Sequence, residues 1–287
     1  MKKLMKVLCV LGLVMLTGCS DAYTNVSDAS EPVFTVNGNA VTKGEIYPML
    51  MYYSGVETTL DMVIEHIMDQ EVPMTEEEIA LAKSDFDEMK SAYGDSFSFI
   101  VSYYGYESEE EFYEEVYLKQ HQNVLLVSKY VDAKFDVLSV THKPRKVEIM
   151  EFTDKETAEK AYARVFTDKE AFTTVAKELA TTTFDGSEMI ITASSSLDST
   201  LLGYLTGTTV SKKIEEIVEG SNGKFYVANV VEGDPANFRE EACDAIAASD
   251  TVSDEATRYF LQQYDFQVSD KSLHNLYKDN YADYLFD

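Results

Sequence analysis

The chain has 287 residues, of which 51 are Asp or Glu and 24 are Lys or Arg, so its formal net charge is −27. This composition argues against nucleic acid as a partner, because binding to a phosphate backbone requires clustered basic side chains. The hydrophobic fraction of 45% is enough to bury more than one core. We therefore expect an acidic, folded protein of two small domains.

The N-terminus is typical of a secretory signal peptide. Three lysines within the first six residues precede an apolar run over residues 7–16, which is too short to span a bilayer. The run ends in Leu-Thr-Gly-Cys at residues 16–19, which resembles the lipobox of bacterial lipoproteins. The resemblance implies removal of residues 1–18 and attachment of lipid to Cys19, which would hold the protein on the outer face of the cytoplasmic membrane. An ordinary signal peptide with an incidental cysteine is the alternative.

A tether and a hairpin follow. Residues 19–31 are small, polar and aperiodic, as in a flexible linker. An Asn37-Gly38 turn between two short apolar runs then predicts a β-hairpin. Thr42 with Glu45 predicts a capping box at the start of the first helix.

Two further helix starts are visible in the first half of the chain. Thr75 with Glu78, and Ser108 with Glu111, predict N-termini, and the second of these helices is expected to run to about residue 132. The stretches FTVNGNAVTKGEI and MKSAYGDSFSFIVSYYGYESEEEFYEEV resemble the beginning of the SurA and PrsA chaperone domains, in which a Val-Asn-Gly turn leads into helices. The resemblance implies the N-terminal part of a helical chaperone domain over residues 32–145.

The middle of the chain, residues 146–232, reads as an inserted α/β domain. Strands over 146–152 and 224–231 enclose two helices whose starts are both written Phe-Thr-Asp-Lys-Glu, so Thr153 and Thr167 are the predicted N-caps. The stretch DKETAEKAYARVFTDKEAFTTVAKELA resembles the parvulin type of peptidyl-prolyl isomerase domain. The resemblance implies a parvulin-like fold for the insert.

The same resemblance implies that the catalytic groups of that family are missing. Its two histidine positions fall on Ile149 and Phe225, and no histidine lies between residues 142 and 274. We therefore expect a degenerate, inactive domain and predict no catalytic residue. An active isomerase that uses Asp185 or Glu188 is the alternative.

The C-terminal segment, residues 233–287, is predicted to complete the helical domain. It reads as helices over 238–248 and 253–264, a strand over 266–268 and a terminal helix. The short strand needs a partner, and the segment near Phe34 is the economical one. The predicted fold class is α+β: a mainly helical chaperone domain built from N- and C-terminal segments, with an inserted parvulin-like α/β domain.

These observations predict a chaperone or foldase that assists exported proteins, with unfolded or partly folded chains as its partners. Flexible Met and amphipathic Tyr suit surfaces that accept many apolar clients, although a helical core is the competing interpretation for each residue. The predicted client-binding residues are Tyr47, Met51, Tyr52, Tyr53, Tyr103 and Tyr104.

Other sites and functions have less support in the sequence. The four histidines are scattered without a second ligand at helical spacing, so we predict no metal site and no cofactor. A homodimer is left open. A substrate-binding or adhesive surface lipoprotein fits the anchor and is the remaining alternative.

Overall fold

The computed structural model describes residues 26–180 and 184–286, so Cys19 and the predicted signal peptide lie outside the described residues. Within these ranges, every helix is too short or too polar to cross a membrane. The chain divides into two compact units. The first takes in the chain up to Gln122 and again from Thr257, and the second is Asn123–Ala256.

The first unit confirms a mainly helical domain built from both ends of the chain, and the second carries the inserted α/β segment. The unit boundaries fall inside two helices and not at the predicted bounds of 145/146 and 232/233. The predicted domain bounds stay a prediction.

The first unit opens with the predicted hairpin. Strands β1 (Pro32–Val36) and β2 (Asn39–Thr42) pair antiparallel around a turn in which Asn37 and Gly38 both have positive φ, at 50° and 82°. Two successive positive φ values are the requirement of a tight hairpin turn. Helix α1 (Lys43–Glu71) follows at once, and the predicted capping box of Thr42 and Glu45 is present.

Four helices follow in the first unit, the last of which runs on beyond it. They are α2 (Glu76–Tyr93), α3 (Phe97–Tyr103), α4 (Glu109–Phe112) and α5 (Leu118–His142), and a π-helical turn (Tyr113–Tyr117) joins the last two. The expected stop near residue 132 was wrong, because no glycine or proline interrupts the helical sequence before Pro144. An aromatic cluster fills the core between these elements: Phe86, Phe97, Val101, Phe112 and Tyr113.

The C-terminal segment closes the first unit by packing on its first helix. After α9 (Arg239–Ala247) and α10 (Asp250–Gln263), helix α11 (Lys271–Asn280) packs against α1. The Tyr277 hydroxyl is buried, 3.2 Å from the carbonyl oxygen of Val56 and 3.0 Å from Oγ1 of Thr59. This contact joins residues more than 200 positions apart in the sequence.

The predicted strand at residues 266–268 was wrong. This segment is irregular, and the β1–β2 hairpin stays two-stranded. Phe266 and Val268 instead pack against the cluster of Val56, Leu273 and Tyr277. These two side chains pack between helices, and residues 266–268 do not pair with the segment near Phe34 as predicted.

The second unit contains an antiparallel sheet whose centre is a long pair of strands. The strands are β3 (Arg145–Phe152), β4 (Met189–Ile191), β5 (Lys212–Lys213), β6 (Val218–Glu219) and β7 (Phe225–Glu232). Their order is β4-β3-β7-β5, with β6 also paired to β7. Helices α6 (Lys155–Phe166), α7 (Phe172–Leu179) and α8 (Ser199–Gly207) cover the sheet.

The two faces of this sheet have separate cores. Ile149 on β3 and Ala228 on β7 face α8, where Leu201 and Leu205 complete an aliphatic cluster. The adjacent residues point the other way. Met150 follows Ile149 on β3, Val227 precedes Ala228 on β7, and both pack with residues of α6 and α7 on the other face. Successive side chains of a strand point to opposite faces of the sheet, so neighbouring residues enter different cores.

Neither predicted cap in the insert was correct. Asp154, and not Thr153, caps α6 by accepting a hydrogen bond from the Thr157 amide at 2.8 Å. No helix begins at Thr167, and α7 begins at Phe172 without a side-chain cap. The carboxylate of Glu170, which a capping box would need, accepts two hydrogen bonds from Arg164 at 2.6 and 2.8 Å.

The buried hydroxyl of Tyr277 gives a test of how the chain ends are joined. Tyr277→Phe should lower the free energy of unfolding by about 1 kcal/mol, because it removes a buried hydrogen-bonded hydroxyl and keeps the ring. Urea unfolding followed by circular dichroism measures this, since the chain has no tryptophan. Tyr281→Phe is the control and should change stability by less than about 0.5 kcal/mol. Equal losses in both variants would contradict this assignment.

Candidate functional site

The first unit carries an open groove between α1 and α11. Its volume is about 300 Å³, and most of its lining is apolar. Four residues of α1 and three from α11 and its cap line it: Tyr47, Pro48, Met51, Tyr52, Asp270, Ser272 and Leu276. A concave apolar surface with a few polar groups at its edge is the usual form of a binding site.

The lining follows from helical spacing. Tyr47 and Met51, and Pro48 and Tyr52, are pairs four residues apart and so lie on one side of α1. Gly55 leaves room for the end of the Met51 side chain, because a Cβ there would lie 2.9 Å from Cε of Met51. Any larger residue at this position would displace the Met51 side chain.

Three of the six predicted client-binding residues line this groove, namely Tyr47, Met51 and Tyr52. Tyr53 is 74% exposed on the same helix and packs edge-on against Tyr52, with ring centroids 5.1 Å apart. Tyr103 and Tyr104 lie at the end of α3, where the Tyr104 ring contacts Phe112. These last two residues are exposed, but they do not line the groove.

Sequence reasoning missed the opposite wall of the groove. Leu276 belongs to the apolar face of the terminal helix and packs against the cluster of Val56, Leu273 and Tyr277. Asp270 caps that helix by accepting a hydrogen bond from the Leu273 amide at 2.9 Å. The Asp-x-x-Leu pattern marks the helix start, but nothing local in the sequence shows that α11 faces Tyr47 and Tyr52.

Exposed apolar residues extend the groove surface along α1. Met49 and Leu50 expose 59% and 60% of their surface beside Tyr52 and Tyr53. Large apolar side chains in contiguous exposed positions are typical of interaction surfaces. The arrangement suits non-covalent binding of apolar segments.

In the second unit, the two positions assigned to the family's histidines do not form a pair. Ile149 is fully buried in the core under α8. Phe225 pairs with Phe152 in the sheet register and packs in the core on the other face. Two groups acting on one substrate amide must share a face, so Phe225 cannot be the partner of residue 149.

Tyr226, one residue further on, shares the face of Ile149 and belongs to a buried polar network. It lies opposite Glu151 in the register and donates a hydrogen bond to Oε2 of Glu151 at 2.9 Å. Its hydroxyl accepts a hydrogen bond from Asn222 at 2.7 Å, and Lys224 forms an ion pair with Glu151. Burial is the main cause that raises the pKa of Tyr226. The network is satisfied within the fold, which indicates a structural role.

Asp198 links this network to α8. Its Oδ1 accepts from the amides of Thr200 and Leu201 as the helix cap, and its Oδ2 accepts from the Ser221 hydroxyl at 2.6 Å. These hydrogen bonds, that from Ser221 above all, lower the pKa of Asp198 to about 2. Gly220 is required beside them, because a Cβ there would lie 2.7 Å from the Tyr226 ring.

The two carboxylates named for an alternative isomerase site lie in an exposed loop. Asp185 accepts from the amide and hydroxyl of Ser187, and the hydroxyl is the main cause that lowers the pKa of this aspartate. A carboxylate with a lowered pKa stays ionised at neutral pH and is a poor proton donor. Glu188 is exposed. The structure therefore gives neither residue the environment of a general acid.

Comparisons with known proteins identify the fold. No protein-family model matches the chain, and no curated protein matches it. Among solved structures, it is similar to the foldase protein PrsA from Streptococcus pneumoniae, with a TM-score of 0.50, 14% identity, and 89% of this chain and 100% of that chain covered. It is also similar to the peptidylprolyl isomerase PrsA from Bacillus cereus (TM-score 0.45, 19% identity, 88% and 98% covered) and to PrsA from Bacillus subtilis (0.40, 18%, 88% and 99%).

Of these three structures, the pneumococcal one is similar enough to assign the fold. The chain has the fold of PrsA foldases over nearly its whole described length, and this confirms the resemblance predicted from the sequence. At 14% identity the likeness establishes the fold, and activity has to be argued from the site itself.

The lowered pKa of Asp198 predicts how stability depends on pH. Its folded-state pKa is about 2 and its ordinary value 3.8, so its contribution is present above pH 3.8 and is lost as the pH falls through 2. Asp198→Asn keeps a cap acceptor but loses the acceptor for Ser221, so its urea midpoint should lie below that of the parent protein at neutral pH. The deficit should shrink on acidification below about pH 4.

The control removes one negative charge elsewhere in the same unit. Asp168→Asn, in the exposed loop after α6, should leave the urea midpoint nearly unchanged at every pH. A deficit in Asp198→Asn that stays constant down to the lowest accessible pH would show that the carboxylate charge is not what stabilises this contact.

Proposed function

We propose that the protein is an extracytoplasmic chaperone of the foldase type, which holds unfolded exported chains in the groove of its helical unit. The observation that carries the proposal is the groove itself, in which Tyr47, Met51, Tyr52 and Leu276 form an open apolar surface. The fold of a PrsA foldase supports the same function.

The chemistry of the groove suits many different clients. Met51 has a flexible thioether side chain that adapts to different shapes, and Tyr47 and Tyr52 offer rigid rings with a polar end. Asp270 and Ser272 add a small polar edge. A surface of this kind binds apolar segments weakly and without strict sequence requirements, as a holding chaperone must.

In this proposal the second unit has no catalytic role. An isomerase needs polar groups arranged around a twisting amide. At the corresponding face, Ile149 is part of the aliphatic core, and Tyr226 and Glu151 satisfy each other. This favours holding over isomerisation as the main activity.

Membrane attachment is part of the proposal. The lipobox-like Leu-Thr-Gly-Cys sequence supports lipidation of Cys19, and the polar residues 19–31 would then separate the folded units from the bilayer. Lipid is needed as the anchor because a chain with 51 acidic residues is repelled by anionic membrane surfaces.

An aggregation assay tests the holding function. The purified protein should slow aggregation of a chemically unfolded, reduced client. Tyr52→Ser removes a 67% exposed ring from the groove, so it should raise the concentration needed for half-maximal protection about fivefold to tenfold. Its melting temperature should change little, since the ring is not in the core.

A residue on the same helix provides the matched control. Met62→Ser removes an apolar side chain of 65% exposure from α1, outside the groove, and should leave protection unchanged. Equal losses in Tyr52→Ser and Met62→Ser, or no protection by the parent protein, would overturn the proposed site.

Fractionation of cells tests the anchor. Cys19→Ala should move the protein from the membrane fraction to the soluble extracytoplasmic fraction, because the thiol that would carry the lipid is gone. Cys243→Ser is the control and should stay with the membrane. A Cys19→Ala protein that resists extraction with high salt and alkaline carbonate would contradict lipid anchoring at this residue.

A further inference from the structure

Acidic residues are distributed unequally between the two units. Residues 26–122 and 257–286, in the helical unit, contain 25 Asp or Glu and 7 Lys or Arg, a net charge of −18. The described residues of the second unit contain 24 acidic and 14 basic residues, a net charge of −10. The unit with the groove is therefore the more negative one.

Internal ion pairs cannot neutralise the helical unit. Even if each of its seven basic residues neutralised one carboxylate, 18 acidic residues would keep their charge. Several of the basic residues are already paired, including Lys43 with Glu31, Lys83 with Asp87 and Lys90 with Glu109. The unit therefore presents a negative potential around an apolar groove, and this potential attracts cations to it.

One carboxylate lies at the groove itself. Asp270 forms part of the lining, at the N-terminus of α11 and beside Ser272. Opposite it, Tyr47, Met51 and Tyr52 supply the apolar wall. A ligand that fits both features carries a large apolar side chain with a positive charge close to it.

Resting on the proposed function, we infer that the groove selects cationic amphipathic segments of unfolded chains, in which Leu, Met or an aromatic residue is flanked by Lys or Arg. The apolar side chain enters the groove, and the basic residues lie in the negative potential around it. The same potential disfavours a second copy of this chain as the occupant, because two surfaces of net charge −18 repel each other.

The two contributions respond differently to salt. Apolar burial persists at high ionic strength, whereas attraction between exposed charges is screened beyond a Debye length of about 10 Å at 0.1 M salt. Charge mainly accelerates association and selects among clients, and the apolar contact slows release. A cationic client should therefore lose its advantage in high salt and still bind.

Three fluorescent peptides with the same apolar residues, flanked by Lys, Ser or Glu, test the inference with the purified full-length protein. Anisotropy at about 50 mM NaCl should show the Lys peptide binding at least about tenfold more tightly than the Glu peptide, with the Ser peptide between them. At about 500 mM NaCl the three affinities should converge to within about twofold.

A replacement that removes one charge tests whether the carboxylate at the groove contributes to the preference for the Lys peptide. Asp270→Asn removes the charge and keeps the helix cap, because Asn caps helices as well as Asp does. It should weaken binding of the Lys peptide about threefold and that of the Ser peptide less, so that the ratio of the two affinities falls. Glu88→Gln removes one charge from an exposed position on α2, outside the groove, and should have little effect on either peptide.

The outcomes separate the inference from the proposed function. Equal binding of all three peptides at low salt, with protection in the aggregation assay intact, would overturn the cationic preference and leave the holding function standing. Absence of peptide binding together with absence of protection would overturn both. Self-association at low salt that Tyr52→Ser abolishes would show that a second copy occupies the groove, and would also overturn the inference.

Discussion

The packing of the terminal helix α11 on α1 is the contact on which the groove of the helical unit depends. The Tyr277 hydroxyl is buried against Val56 and Thr59, and Leu273 completes the cluster beneath. Leu276, one turn after Leu273 and directly before Tyr277, then becomes the far wall of the groove. The groove therefore exists only when the two ends of the chain have met, which would tie the proposed client binding to complete folding of the unit.

In the α/β unit, the equivalent constraint is strand register. The pairing of β3 with β7 sets Ile149 against Ala228 and Glu151 against Tyr226 on one face. Glu151 is nearly buried, and an unpaired carboxylate there would be costly, so Tyr226 and Lys224 are bound to it. The polar groups of this face are thus engaged in holding β7 and the Asp198 cap together. A structural network of this kind explains how the fold persists without imidazoles.

Local signals in the sequence predicted much of this architecture. The Asn37-Gly38 turn and the Thr42–Glu45 capping box are present, because their determinants lie within a few residues of one another. Tyr47, Met51 and Tyr52 are predicted from their residue types, and the structure places them on one side of α1. The errors came from longer-range effects. Glu170 pairs with Arg164 instead of capping a helix, and Phe266 enters a core instead of a strand. The family resemblance assigned the second position to Phe225, and only the register shows that Tyr226 lies on the face of Ile149.

The helical unit and the α/β unit differ in net charge, at −18 and −10 over their described residues. A net charge of −18 on the helical unit destabilises its compact state through repulsion, and the aromatic cluster around Phe86 and Phe97 opposes this with dense apolar packing. Neutral surfaces would be simpler to stabilise. The inferred preference for basic segments explains why the unit keeps this destabilising charge. The charge would attract basic segments to the groove and would keep the empty grooves of neighbouring molecules apart. Apolar exposure at Tyr52 and Tyr53 is then tolerable, since the carboxylates that attract clients also oppose self-association.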